Sequence, residues 1–203
     1  MSLISGILAP GLFGAEMEDV DQPVALHPQE ECLVANATQK RRRDFALGRA
    51  CARAALSALG HGDVAIDRDE NGVPLWPAGI LGSITHTKFY AAALVAGAHH
   101  IGGVGVDAER VGGVTQDLWP RLFGSAERDF LMTLDGLQQQ IFATLFFSAK
   151  EAVYKASGIK GALAFREIHI TPQDGGFTAI RSGEILRGRY AQQDDLLLTA
   201  VWF

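Results

Sequence analysis

The chain has 203 residues, 48% hydrophobic and 20% charged, the balance of an ordinary globular protein long enough to build one large domain or two small ones. Its formal net charge of −5 argues against a general nucleic-acid binder while leaving room for a local basic patch. Cys32 and Cys51 are too few for a disulfide framework and lack metal spacing, which points to a reducing, cytoplasmic setting; residues 1–13 lack the basic start of a signal peptide, and no apolar run reaches membrane-spanning length.

Residues 1–39 are short apolar pieces broken by Pro10, Pro23 and Pro28, with acids at Glu16, Glu18, Asp19 and Asp21; they predict a strand or two plus loops. Residues 39–59 predict a helix, with Phe45, Gly48, Ala52, Leu56 and Leu59 on one stripe and Gly60 as its stop. Arg42, Arg49 and Arg53 run along one flank, either as a solvated basic edge or, at Arg49 near the apolar border, as a fork for a phosphate. Arg41 projects nearer the packed side, and whether Arg41 or Arg42 faces a ligand stays open at this level. Residues 64–76 predict a strand, a tight turn at Asp69-Glu70-Asn71-Gly72 and an edge stretch bounded by Pro74 and Pro77. Arg68 at the mouth of that turn is a phosphate contact or a surface charge. Next comes Gly82-Ser83-Ile84-Thr85-His86-Thr87, where a His among hydroxyls is either structural or an anion donor, and then an apolar run over residues 89–95. His99 and His100 belong to a loop.

Gly103-Val104-Gly105-Val106 predicts a buried strand ending in Asp107-Ala108-Glu109. Side chains two apart share a strand face, so the two carboxylates converge. They form either an acidic turn or a site for a hard cation such as Mg²⁺, which takes one or two carboxylates plus substrate phosphates. Residues 111–123 read as a Gly-rich connection, the best place for a boundary or a mobile loop, and Ser125 as the N-cap of a helix running to about residue 134. Residues 140–157 predict a second long helix with Phe142, Leu145, Phe146, Ala149, Ala152, Val153 and Ala156 on its apolar stripe and Gly158 as its stop. Phe147, Glu151 and Lys155 line up on the opposite face. Glu and Lys at that spacing commonly form only a surface pair, but the aromatic residue in the same row implies that other chain covers this face. From residue 165 onward the pattern is an antiparallel meander with strands at residues 167–171, 177–180 and 196–203. Residues 90–96 faintly echo 197–203, a hint of duplication.

Three segments in order, Gly82-Ser83-Ile84-Thr85-His86, Gly105-Val106-Asp107-Ala108-Glu109 and Phe147-Ser148-Ala149-Lys150-Glu151-Ala152-Val153-Tyr154-Lys155-Ala156, resemble the three motifs of the 4′-phosphopantetheinyl transferases. The match is to the single-chain surfactin- and enterobactin-type class, closer in wording to the enterobactin branch. The stretch from Arg41 to Arg53 and Gly72-Val73-Pro74-Leu75-Trp76-Pro77 resemble its N-terminal signatures, with Val73 where some members carry Lys.

The resemblance implies a pseudo-twofold α+β fold of two similar subdomains, residues 1–110 and 111–203, each with a helix packed on a small antiparallel sheet and coenzyme A (CoA) in the cleft between them. It implies transfer of phosphopantetheine from CoA to a serine of an apo acyl, peptidyl or aryl carrier protein, giving 3′,5′-ADP. Asp107, Glu109 and Glu151 would hold Mg²⁺, Glu151 would act as base directly or through water, and Lys155 would steady the transferring phosphate. Arg41, Arg49, Arg68, Thr85 and His86 would grip the phosphates and nucleotide, Asp69, Glu70 and Asn71 would line the adenine side, and Asp107 and Lys155 would also meet CoA. The enzyme would be a cytoplasmic monomer with neither nucleic-acid nor membrane partners. The alternative is a non-catalytic CoA- or carrier-binding module of the same fold; a Mg²⁺-dependent phosphatase or nuclease built on Asp107 and Glu109 lacks further acid motifs.

Overall fold

The computed structural model describes residues 2–18, 23–99, 101–158 and 165–203; Asp19, Asp21 and His100 lie outside the described residues. The elements are α1 (Leu3–Ile7), β1 (Leu12–Glu18), α2 (Gln39–Ala58), β2 (Asp67–Arg68), β3 (Pro74–Leu75), β4 (Ile80–Thr87), β5 (Tyr90–Gly97), β6 (Val104–Arg110), α3 (Trp119–Leu122), α4 (Ser125–Met132), α5 (Gly136–Ser157), β7 (Ile168–Gln173), β8 (Gly176–Arg181), β9 (Glu184–Gln193) and β10 (Leu196–Trp202). One antiparallel sheet has the order β1-β5-β4 and the other β6-β10-β9-β8-β7, with β2 and β3 as a separate small hairpin. This is an α+β fold.

The two central strands are apolar on both faces because both faces are covered. Ala91, Ala93 and Val95 of β5 pack against Leu47, Cys51, Ala52, Ala55 and Leu56 of α2. Ala92, Leu94 and Ala96, on the other face, meet Val104, Val106 and Ala108 of β6 and Leu196, Leu198 and Ala200 of β10, with α1 closing that core. Leu197 and Val201 of β10 turn the other way, onto Leu145, Phe146, Ala149, Ala152 and Val153 of α5. The layers therefore run α2, first sheet, second sheet, α5. Small residues on β5 let its helix approach closely. Glycine does the same on β6, where a Cβ at Gly105 would fall on the carbonyl of Ala152 in α5.

Both long helices start and stop where their sequences direct. Thr38 caps α2 by accepting from Arg41 N at 3.3 Å, and Gly60 follows its end at φ 94°. Gly158 at φ 58° terminates α5. That helix begins at Gly136, four residues before the sequence pattern starts, since its first turn carries glutamines without apolar periodicity, and Gln139 Nε2 donates to Leu131 O of α4 at 3.0 Å. Four expectations need correction. Residues 3–7 form a short helix, because Leu3, Ile4 and Ile7 are buried in the inter-sheet core. The connection at 111–123 contains α3, and it packs Trp119 and Phe123 into the core. The strand β9 escaped the sequence pattern, since Gly188 and alternating Arg187 and Arg189 give it little apolar signal. At α4, Gly124 holds the N-cap position and Ser125 is the first helical residue, with Glu127 Oε2 accepting from Gly124 N at 2.9 Å. Among the described residues no helix is long and apolar enough to cross a membrane.

Candidate functional site

The edge strands of the two sheets, β4 and β6, meet side by side, and the site lies along their seam. The bonds between them pass through side chains. Ser83 Oγ accepts from Val106 N at 3.1 Å and Thr85 Oγ1 from Ala108 N at 3.1 Å. Lys155 Nζ, reaching over from α5, donates to Val106 O at 3.1 Å. Two hydroxyls and an ammonium thus satisfy the free edge of β6, which would otherwise be a row of open backbone groups.

Asp107 sits in the middle of this seam, buried to 4% exposure. Its Oδ1 accepts from Lys155 Nζ at 2.7 Å and from Thr85 Oγ1 at 3.3 Å. Its Oδ2 is buried without a hydrogen-bond partner, an arrangement that costs free energy unless a ligand completes it. Glu109 and Glu151 face the same place. Burial first, then the charge of Asp107, pushes Glu109 up to about 7, with Glu151 adding to the rise and Lys155 opposing it. Glu151 is raised for the same two leading reasons, again against Lys155. The charge of Asp107 thus reaches both Glu109 and Glu151. Among the described residues no group of three or more His, Cys, Asp or Glu is gathered to hold a metal ion. The chemistry of the donor set, hard oxygens with one buried atom orphaned, nevertheless fits a hard cation.

The basic residues divide into two kinds. Arg41 Nη1 lies 3.2 Å from His86 Nε2; burial lowers the His86 pKa, so the neutral ring accepts from the guanidinium. Arg42 is committed elsewhere, donating to Val34 O at 3.1 Å, so Arg41 is the one on the His86 side. Arg68 Nη2 donates to Leu33 O at 2.8 Å. Arg49 is only 4% exposed and clamps backbone, with Nε to Ile66 O at 2.8 Å and Nη2 to Asp67 O at 3.3 Å, its guanidinium 4.4 Å from the Phe45 ring. Burial lowers its pKa to about 10, with Arg68 and Arg41 contributing. Asp69 Oδ1 accepts from Asn71 N and Val73 N, both at 2.9 Å, which shapes the turn. Thr85 is likewise spoken for by Asp107 and Ala108, 3% exposed. Thr85 and Arg49, both expected at the ligand, are each hydrogen-bonded to residues that border the trough.

Two adjoining cavities share Asn71 and Gly72. One, of about 590 Å³, is bordered by Arg41, Arg68, Asp69 and Glu70. The other, of about 550 Å³, runs past Val73, Ser83 and Ile84 to Tyr154 and Lys155. Together they make a trough from the basic cluster to the ammonium that holds Asp107.

The sequence reading passed over two polar residues that support the site. Ser83 lies in its motif two residues before Thr85, so strand alternation places it on the same face. Lys150 is fully buried next to Glu151 in sequence; its Nζ donates to Glu127 Oε2 at 2.6 Å, Leu122 O at 2.9 Å and Phe165 O at 3.0 Å. Its place four residues after Phe146, on the apolar stripe, was the available signal. The covered face at Phe147 is real: its ring meets that of Phe165 edge-on, centroids 5.9 Å apart.

Residues 29–96 match the model of the 4′-phosphopantetheinyl transferase N-terminal domain, and residues 103–201 match that of the 4′-phosphopantetheinyl transferase superfamily. The chain is 40% identical over 171 residues to the 4′-phosphopantetheinyl transferase Npt of Nocardia iowensis, covering 83% of this chain and 76% of that one. This chain belongs to the 4′-phosphopantetheinyl transferase family. It is also 34% identical over 197 residues to the transferase Svp of Streptomyces mobaraensis, covering 89% of this chain and 80% of the relative. With enterobactin synthase component D of Salmonella typhimurium it shares 29% over 181 residues, 82% of this chain and 74% of that one. The boundary between the two family models, at residues 97–102, falls on the link between β5 and β6 of the transferase, just before the strand that carries Asp107 and Glu109.

Proposed function

We propose that this transferase moves the 4′-phosphopantetheine arm of CoA onto a serine hydroxyl of an apo carrier protein and releases 3′,5′-ADP. The observation that carries the reading is Asp107 held by Lys155 and Thr85, with one buried oxygen left open at the head of a basic-lined trough. The two halves are taken as residues 1–110 and 111–203, with β6 the strand that the first half lends to the second sheet, and the trough between them as the CoA site.

Arg41 and His86, beside Arg68, bind phosphate oxygens at one end, while Asp69, Glu70 and Asn71 border the nucleotide. Arg49 keeps the Arg68 strand in place by gripping the carbonyls of Ile66 and Asp67. Glu151 takes the serine proton, directly or through water; a carboxylate whose pKa is raised by burial and by Asp107 is a stronger base than an ordinary one. Lys155 stands where the leaving phosphate gains charge, so its contribution is largest in the transition state. Asp107, Glu109 and Glu151 would hold Mg²⁺, which when bound supplies neutralising charge to a pyrophosphate that otherwise repels the nucleophile. The enzyme is taken to act in the cytoplasm as a monomer; two free thiols, one of them exposed at Cys32, suit a reducing compartment.

Incubation of the purified protein with CoA, Mg²⁺ and an apo carrier, followed by intact mass measurement, is the test. Transfer adds roughly 340 Da to the carrier, a covalent gain that binding alone does not produce. A protein that binds CoA and carrier but yields no mass gain is a binding module and overturns the proposal.

A further inference from the structure

The turn between β4 and β5 holds a residue in conflict with its position. Thr87 and Tyr90 are register partners, so Lys88 and Phe89 alone make the connection. Phe89 has φ 67°, in the left-handed region where an L residue loses about 1–2 kcal/mol and where Gly or Asn is the usual occupant. The ring gains little burial in return. It is 56% exposed, with Lys88 Nζ 4.9 Å from its centroid. A bulky aromatic residue strained in a turn and facing solvent is poorly accounted for by folding, and such outliers gather at functional sites.

The turn is also anchored to the reaction seam. Arg110 Nη2 donates to Lys88 O at 3.0 Å, while its Nη1 pairs with Asp195 at 2.5 Å. Arg110 directly follows Glu109, and β4 runs back from the turn through Thr87 to His86 and Thr85. Phe89 therefore stands at the end of the two strands that carry the acidic site, where it lines a cleft of about 470 Å³ together with Tyr90, Glu16, Glu18 and Arg110. It borders neither of the cavities that form the trough.

We propose that Phe89 is a docking anchor for the apo carrier protein, the ring that the partner's apolar surface covers while its serine is brought to the Asp107 end of the seam. The assignment rests on the transferase reading, which requires a second protein to settle against this mouth. A ring more than half exposed at the rim of a cleft beside an active site is the kind of group that a protein partner buries, and aromatic residues are enriched in such contacts. The trough accounts for CoA without it.

Phe89→Gly removes the ring and the strain together, which gives the test two opposed signs. The melting temperature is expected to hold or rise, because glycine adopts this φ freely. The KM for CoA is expected to stay unchanged while the KM for the carrier rises about thirtyfold, the size of a hot-spot loss. Phe89→Trp, which keeps a ring, is expected to retain carrier KM. Binding of a carrier whose acceptor serine is replaced by alanine, measured by calorimetry, should weaken in parallel for Phe89→Gly. Unchanged carrier KM and carrier binding in Phe89→Gly, beside an active wild type, would overturn the anchor while leaving the transferase reading intact. A wild-type protein that neither modifies nor binds a carrier overturns both.

Discussion

Thr85 shows how one hydroxyl can hold both a backbone and a buried carboxylate. It accepts from Ala108 N and donates to Asp107 Oδ1, so Thr85→Val leaves a buried N–H open, at a cost of about 1–3 kcal/mol, and frees Asp107 to swing toward Lys155. Thr85→Ser keeps both bonds. The expected outcome is a fall in kcat and a weaker Mg²⁺ response for the valine variant, with recovery in the serine variant and little change in KM for CoA. A rise in CoA KM with normal kcat would instead put Thr85 on the ligand. The arginines separate in the complementary way. Arg41→Ala should raise the KM for CoA at nearly constant stability, since its side chain pairs with His86 beside the trough. Arg49→Ala should lower the melting temperature first, because it strips two carbonyls of β2 and its approach of their donor. Steady-state kinetics and thermal melting of both variants decide whether these roles are reversed.

At the scale of the element, α5 works because its buried side is not wholly apolar. Lys150 is enclosed, and its three bonds tie α5 to Leu122, to Glu127 of α4 and to Phe165 ahead of β7. Burial lowers the Lys150 pKa while Glu127 raises it. Glu127 in turn accepts from Ile170 N at 2.9 Å, so the pair cross-braces helix to sheet directly behind Glu151. Lys150→Met is expected to destabilise by about 3–5 kcal/mol, because it leaves a buried carboxylate unpaired. The double variant Lys150→Met/Glu127→Gln should recover part of that loss, as read by chemical denaturation. Equal stability of the single and double variants would mean that the charge on Glu127 is not what the lysine neutralises.

For the molecule as a whole, the acidic seam ties stability to pH and to cations. Glu109 is held at about 7 against a usual 4.5, so the folded state binds a proton that the unfolded state has already lost. Its stabilising share is complete below about 4.5 and is lost as pH rises through about 7; Glu151 shifts in the same direction. The metal-free protein should therefore lose melting temperature across that window. A cation that favours the ionised carboxylates should restore more at about pH 8 than at about pH 5, by linkage. Melting with Mg²⁺ and with chelator at the two pH values tests this, and an equal Mg²⁺ response at both would remove Glu109 from the proposed ion site. Asp107→Asn should narrow the pH effect, since the charge of Asp107 is the second cause of the shift.

What the sequence determined on its own was local: the stripe and stop of α2, the stripe of α5, the Asn-Gly turn, the acid pair ending β6 and the wording of three motifs that identify the family. These depend on periodicity and on neighbours within a few residues, which a linear reading can see. It underdetermined weakly patterned pieces such as α1, whose five residues become helical only because the inter-sheet core receives Leu3, Ile4 and Ile7. Only the tertiary structure decided that β4 and β6 meet edge to edge, because a contact between Thr85 and Asp107 spans 22 residues of chain and leaves no period. The same holds for the partners of Arg49, the carbonyls of Ile66 and Asp67, which lie 17 and 18 residues along the chain. A side chain's chemistry is written in its type, but its task depends on which groups the fold brings within about 3 Å of it.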